Sequence, residues 1–150
     1  MSDVETPKPE LPQSGDRLVD RYTIIHRVSL GGFGAVYRAL QDNLGREIAL
    51  KVLLPDVVSN NKDYIEQFRQ EALLTSQLRH PNTITIFDYG QTDNGLLFIA
   101  MEWLDGKTLT EVLKEEGALS YERCLHISNQ ILKSLSEAHD RGMVHRDLKP

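Results

Sequence analysis

A lysine and a glutamate stand on predicted apolar faces where a single charge is unexpected. Lys51 lies within the strand-like segment 47–53, and alternation places it on the same side as Ala49. Glu71 lies in a segment with helical spacing, on the face that carries Phe68. An unpaired carboxylate on a core face is costly, so the two are expected to pair and to hold the ammonium within reach of phosphates. For Lys51 taken alone, an edge-strand charge is the favoured alternative, and Glu71 is what changes that interpretation.

A glycine-rich turn between two predicted strands offers a second contact for phosphate. Segment 29–36 contains three glycines, which let the backbone approach phosphates and direct amides at their oxygens. Phe33 at the tip would be awkwardly exposed in a plain turn, whereas over a ligand it can shield phosphates from water. An ordinary hairpin turn remains the alternative for this segment alone.

The last six residues could act on a hydroxyl group. Asp147 could accept or orient a hydroxyl proton, and Lys149, two positions on, could steady a phosphoryl oxygen. A charged surface loop is the alternative explanation of segment 145–150 by itself.

The elements that must position these residues predict an α+β fold. Five strands of an antiparallel sheet are predicted over 22–28, 35–40, 47–53, 84–89 and 96–102. A helix is predicted over 63–78, a short one over 109–116, and a longer one from Ser120 that Gly142 stops. The longer helix carries an apolar stripe that includes Cys124, which is expected to be buried.

Composition limits the classes of partner and compartment. The chain has 150 residues, 40% of them hydrophobic, and a formal net charge of −5. Segment 1–20 is proline-rich and poor in large apolar residues, so a disordered tail is expected there. The remaining body is nearly neutral, which gives no reason to expect nucleic acid as a partner. A single cysteine and the lack of a signal-peptide pattern or membrane span predict a cytoplasmic setting.

Six segments in order resemble the amino-terminal half of eukaryotic-type protein kinases, most closely the bacterial serine/threonine branch. They are 31–37 (Gly-Gly-Phe-Gly-Ala-Val-Tyr), 48–51 (Ile-Ala-Leu-Lys), 68–71 (Phe-Arg-Gln-Glu), 79–82 (Arg-His-Pro-Asn), 101–106 (Met-Glu-Trp-Leu-Asp-Gly) and 145–150 (His-Arg-Asp-Leu-Lys-Pro). The resemblance implies a bilobal fold. Residues 21–103 would form the small, ATP-binding lobe with its five-stranded sheet and regulatory helix, and residues 104–150 the start of the large lobe.

The resemblance also implies residue roles. Lys51 would contact the α and β phosphates, Glu71 would anchor Lys51, and Asp147 would be the catalytic base. Lys149, in the run Asp-Leu-Lys-Pro, is typical of specificity for serine and threonine in protein substrates. The nucleotide site would comprise Val28, Ser29, Leu30, Gly31, Gly32, Phe33, Gly34, Val36, Ala49, Lys51, Met101, Glu102 and Leu104.

Within that site, the resemblance implies an adenine wall formed by Val28, Val36, Ala49 and Met101. The backbone of the hinge, residues 102–104, would bond the edge of the adenine.

Two departures from the family pattern bear on activity. Ser29 occupies the place of the family's first loop glycine, where it could stiffen the loop and weaken ATP binding. The family's magnesium-binding asparagine and Asp-Phe-Gly sequence would follow Pro150. The ligands for Mg²⁺ are therefore expected downstream, and the 150 residues alone are expected to be inactive.

Three functions are consistent with this resemblance. The first is ATP-dependent phosphorylation of proteins, in a full-length protein that could be membrane-tethered, as many bacterial relatives are. The second is a non-catalytic, pseudokinase-like ATP-binding or scaffold module, which has no evident need of Lys51, Glu71 and Asp147 together. A small-molecule phosphotransferase of similar fold is disfavoured by the run at 147–150.

Overall fold

The computed structural model describes residues 10–54 and 62–150, so the expectation of disorder for residues 1–9 lies outside the described part. The strands are β1 (Arg17–Leu18), β2 (Tyr22–Leu30), β3 (Gly34–Gln41), β4 (Arg46–Leu53), β5 (Ile86–Gln91) and β6 (Leu97–Glu102). The helices are α1 (Lys62–Thr75), α2 (Leu109–Glu116) and α3 (Tyr121–Asp140).

The six strands form one antiparallel sheet in the order β1-β2-β3-β4-β6-β5. Strands β2, β3 and β4 are the predicted meander, and the turn between β3 and β4 closes through Gly45, whose φ of 61° suits glycine. Strand β6 pairs with β4, which makes β4 a central strand with neighbours on both sides. The edge-strand alternative for Lys51 is therefore wrong.

The prediction of disorder was wrong for part of the N-terminal segment. Residues 17–18 pair with β2 as a sixth strand, where five were expected. Pro12 and Leu18 are buried, and Leu18 belongs to the core under the sheet. A two-residue strand is too short to show alternation, and its burial depends on a partner strand.

Alternation along β4 directs side chains to two separate apolar clusters. Ile48, Leu50 and Val52 enter the larger cluster, in which the rings of Tyr22 and Phe98 form a T-shaped pair. On the other face, α1 supplies Phe68 and Ala72, four residues apart, which pack against residues of β4 and β6: Leu53, Leu97 and Ile99. Helix α1 ends at Thr75 rather than at the predicted residue 78.

Helix α2 has the predicted bounds, and α3 begins directly after Ser120, as predicted. Thr108 and Glu111 form a reciprocal capping box at the start of α2, and Gly117 ends that helix with a φ of 78°. The Ser120 hydroxyl accepts from the backbone N–H of Arg123 at the start of α3.

The predicted burial of Cys124 in the long helix was wrong. Ala138 is the only buried residue of α3, and the thiol of Cys124 is exposed. An amphipathic pattern shows which face could be covered, but it does not supply the covering surface.

The chain divides into two compact units, one of Met1–Leu73 with Ile86–Trp103 and one of Leu74–Thr85 with Leu104–Pro150. The predicted small lobe, 21–103, thus differs from the first unit in two respects: the first unit also includes the N-terminal segment, and the stretch Leu74–Thr85 belongs to the second unit. Polar contacts explain this grouping, since the backbone N–H of Arg79 donates to Glu137 and the Asn82 amide donates to Gln130.

Candidate active site

Lys51 and Glu71 pair in the first unit, as their isolated charges predict. The Lys51 ammonium donates to both carboxylate oxygens of Glu71, with Nζ–Oε1 and Nζ–Oε2 distances of 2.9 Å and 3.2 Å. The Phe68 ring lies 5.6 Å from the same ammonium. The pair is not sealed in the core, because the side chains of Lys51 and Glu71 are 33% and 56% exposed. An ammonium with three donors can therefore hold Glu71 and still reach a phosphate oxygen from solvent.

Cross-strand register gathers most of the predicted adenine wall on the sheet face that carries Lys51. Val36 is opposite Lys51 in the β3–β4 pair, and Ala49 is opposite Met101 in the β4–β6 pair. Alternation places Ala49 and Lys51 on one face, so Val36 and Met101 share it. Val28 differs from them: it lies at a register shift of β2 and is 48% exposed.

The glycine loop joins β2 to β3, and its three glycines have different surroundings. The N–H of Gly31 donates to the carbonyl of Gly34 at 2.8 Å. A Cβ on Gly34 would lie 2.6 Å from the carbonyl oxygen of Val52, so strand packing alone requires glycine there. A Cβ on Gly32 would meet nothing within 4 Å. Gly32 therefore fits a bound phosphate better than it fits any packing requirement.

Phe33 at the loop tip has a partner that sequence reasoning missed. Its ring stacks on that of Tyr64 in α1, with ring centroids 5.0 Å apart and planes tilted by 35°. The carbonyl of Phe33 accepts from the backbone N–H of Leu54 at 3.0 Å. No local spacing signals the stacking contact, because the two rings are brought together by the fold of the first unit.

The start of the predicted hinge carries a second contact that the sequence did not reveal. Trp103 directly follows β6, and the guanidinium of Arg38 lies 5.0 Å from its ring centroid. Arg38 also donates to Glu47 at 3.0 Å through Nε. Glu102 ends β6, while Leu104 belongs to the second unit and is 64% exposed.

Segment 143–150 of the second unit has neither helix nor strand. The Lys149 ammonium donates to Oδ2 of Asp147 at 2.8 Å, and the backbone N–H of Asp147 donates to Nδ1 of His145 at 3.3 Å. The hydrogen bond from Lys149, together with the positive charge of Lys149, lowers the pKa of Asp147. Asp147 is therefore an ionised acceptor at neutral pH, suited to a hydroxyl donor.

A cavity elsewhere in the first unit does not fit a nucleotide. Its volume is about 370 Å³, and it lies between the N-terminal segment and the β5–β6 turn. The carboxylates among its lining residues would repel phosphate: Glu10, Asp16, Asp20 and Asp93. None of the predicted site residues lines it.

Two further searches cover only the residues that the structure describes. Among them, no group of three His, Cys, Asp or Glu side chains could hold a metal ion. In the same ranges, no helix combines the length and apolar character required to cross a membrane.

Comparison with known proteins gives matches along nearly the whole chain. A family model described as "Protein kinase domain" matches residues 22–150. Serine/threonine-protein kinase pkn3 of Myxococcus xanthus is 40% identical over 136 residues, which are 91% of this chain and 25% of that protein. PknA of Mycobacterium tuberculosis, also named a serine/threonine-protein kinase, is 38% identical over 143 residues, which are 93% of this chain and 33% of that protein.

The fold has solved counterparts. A crystal structure of the Mycobacterium tuberculosis PknI kinase domain matches with a TM-score of 0.79 and 28% identity, over 94% of this chain and 57% of that one. The chain thus spans a quarter to a third of these two relatives and somewhat more than half of a crystallised kinase domain. The kinase-like α+β fold predicted from the sequence is confirmed, with one strand more in the sheet.

Proposed function

The chain belongs to the protein kinase domain family, and from this premise we propose that it forms the ATP-binding lobe and the start of the catalytic loop of a serine/threonine protein kinase. The observation that carries the proposal is the Lys51–Glu71 pair, with Nζ–Oε distances of 2.9 Å and 3.2 Å on a sheet face that also holds Val36, Ala49 and Met101. The relatives named serine/threonine-protein kinases support serine and threonine hydroxyls as the proposed phosphoryl acceptors.

Lys51 would orient ATP by its phosphates. Glu71 fixes the ammonium through two hydrogen bonds, and the ammonium's remaining donor would bind an oxygen of the α or β phosphate. The adenine would lie against the apolar wall of Val28, Val36, Ala49 and Met101, with the backbone of residues 102–104 bonding its edge. The glycine loop, 29–34, would cover the phosphates.

Asp147 would position the substrate. Its ionised carboxylate would accept the hydrogen bond of a serine or threonine hydroxyl and take the proton as the hydroxyl oxygen bonds to the γ-phosphorus and ADP leaves. Lys149 would balance negative charge on the transferred phosphoryl group. Magnesium ions, when bound, neutralise the phosphates. In the family, residues that follow the matched segment hold them, and we expect the same here.

Phosphoryl transfer from ATP to a generic protein substrate tests this function. The 150-residue chain is compared with the protein extended through its downstream coding sequence, in the presence of magnesium. Activity is expected only in the extended protein, because the proposed metal-binding residues lie in the added part. Lys51→Met in the extended protein should abolish transfer while leaving thermal unfolding nearly unchanged.

A matched control separates the loss of Lys51 from the loss of any ion-paired lysine. Lys107 pairs with Glu115 on the surface of the second unit, so Lys107→Met should retain activity. Full transfer by Lys51→Met would contradict the assignment of Lys51. ATP binding without transfer by the extended protein would favour the alternative, a pseudokinase-like binding or scaffold module.

A further inference from the structure

One face of α1 contacts both Lys51 and the glycine loop, the two features that would bind the phosphates in the proposed function. Glu71 bonds the Lys51 ammonium, and the ring of Phe68 lies 5.6 Å from it. Tyr64 lies seven residues before Glu71 and four before Phe68, which places the three side chains along one stripe of the helix. At the far end of that stripe, Tyr64 stacks on Phe33 at the tip of the glycine loop.

Apart from this stack, the loop tip has two backbone hydrogen bonds within the part of the chain that the structure describes. The Gly31–Gly34 hydrogen bond closes the turn, and the N–H of Leu54 bonds the Phe33 carbonyl. At the tip of the loop, Gly31 and Gly32 are glycines that a Cβ would not crowd. They therefore gain the most conformational freedom when the tip detaches. The Phe33 ring remains 57% exposed and has no place in either apolar cluster.

We propose that Tyr64 is a positioning residue that holds the tip of the glycine loop against α1. The same helix face then sets the loop and Lys51 together, so a displacement of α1 withdraws both phosphate contacts at once. The consequence of the Tyr64–Phe33 contact for ATP binding rests on the proposed function. An aromatic stack pre-orders the loop, which removes part of the entropy that binding would otherwise cost.

Hydrogen exchange of the loop amides tests the contact without any nucleotide. In the extended protein, Tyr64→Ala should increase the exchange rate of a peptide that spans residues 29–36. Tyr64→Phe should leave the rate near that of the unmutated protein, since the stack uses the ring. Gln67→Ala, an exposed change on the same helix, controls for general loosening of α1. Equal exchange in the Tyr64→Ala and unmutated proteins would overturn the proposal.

A double-mutant cycle with Phe33→Ala tests the consequence for ATP. Each single change should weaken ATP binding about two- to tenfold, the range expected for one aromatic pair. The double variant should bind ATP no more weakly than the single variant with the lower ATP affinity, because both changes remove the same contact. Tyr64→Phe should restore the affinity. Multiplying effects in the double variant would show that the rings act independently and would overturn the proposal.

The two tests separate this proposal from the proposed function. If the extended protein binds no ATP but Tyr64→Ala still loosens the loop, Tyr64 positions the loop and the kinase assignment fails. If ATP binds and its γ-phosphoryl group is transferred, while neither loop amide exchange nor ATP affinity changes on substitution of Tyr64, the kinase assignment stands and the role of Tyr64 is wrong.

Discussion

The two units place their candidate catalytic residues by different means. In the first unit, Lys51 lies on a central strand between β3 and β6, with apolar clusters on both faces of the sheet. In the second unit, α2 buries no residue, α3 buries only Ala138, and the side chains of Asp147 and Lys149 are 75% and 72% exposed. Strand register fixes a side chain within the sheet itself, whereas a helix needs a second surface to bury its stripe.

The second unit relies on local polar contacts instead. Capping groups begin its helices, and the Thr83 hydroxyl bonds that of Ser134 on α3 at 2.5 Å. The Thr110 hydroxyl of α2 donates to the carbonyl of Pro150, which holds the end of segment 145–150 against α2. Exposed contacts of this kind contribute little stability each, so the two units should respond very differently to substitution.

Asp147→Asn should give the largest functional loss with the smallest structural cost. Loss of a positioned base typically lowers kcat by about 10²–10⁴-fold. Because the Asp147 side chain is 75% exposed, thermal unfolding should hardly shift. Both are measured in the extended protein, with Asp140→Asn at the exposed end of α3 as the control. An unchanged kcat would remove Asp147 from the site.

Phe98→Ala and Leu132→Ala test the contrast in packing directly. Phe98 is fully buried, so its truncation should lower the free energy of unfolding by about 3–5 kcal/mol. Leu132 is 64% exposed, so its truncation should change that free energy by no more than about 0.5 kcal/mol. Denaturant unfolding of the 150-residue chain measures both. Similar losses would mean that α3 is packed as firmly as the sheet.

Tyr22→Phe should flatten the alkaline loss of stability of the first unit. Burial, with the hydrogen bond from the Tyr22 hydroxyl to Asp88, raises the pKa of Tyr22 to about 12 from its ordinary 10. The protonated Tyr22 hydroxyl therefore contributes fully to the free energy of unfolding below pH 10. That contribution, about 2–3 kcal/mol, is lost as the pH rises from 10 to about 12.

The measurement for Tyr22 is the midpoint of denaturant unfolding as a function of pH. The unmutated chain should lose stability more steeply than the Phe variant above pH 10. Tyr121→Phe is the matched control, because Tyr121 is 73% exposed and lies in the second unit. Parallel curves for the Tyr22 variant and the unmutated chain would contradict the raised pKa.

Lys149→Met should produce the smallest structural effect, a shift in the titration of Asp147. Lys149 lowers the pKa of Asp147, so removing the ammonium should raise that pKa towards the ordinary aspartate value. The carboxyl resonance of Asp147, followed by NMR over an acid titration, measures the change. Lys133→Met on the exposed side of α3 should leave it unmoved. An unshifted midpoint would show that the Asp147–Lys149 contact does not persist in solution.

Sequence patterns predicted those elements whose cause is local. The five strands 22–30, 34–41, 46–53, 86–91 and 97–102 lie where alternation and turn glycines indicated, within about two residues at most ends. The bounds of α2 and the start of α3 lie where they were predicted, and the pairing of Lys51 with Glu71 followed from the cost of an isolated carboxylate.

Contacts between distant segments were not predictable in the same way. Strand β1 exists because Arg17 and Leu18 meet β2, and Phe33 meets Tyr64 across 31 positions of sequence. The exposure of Cys124 and of the Lys51–Glu71 pair likewise depends on which surfaces the folded chain covers.

By itself, then, the sequence determined the family, the order of the elements and the identity of the charged residues of the site. The family follows from the resemblance of six segments, whereas the order of the elements and the charged residues follow from spacing and alternation, which operate within a few residues. The tertiary structure alone decided that Lys51 lies on a central strand and is one-third exposed, that Gly34 must be glycine beside Val52, and that Tyr64 contacts the glycine loop. Such features are set by distances between segments remote in sequence, and only the folded chain brings those segments into contact.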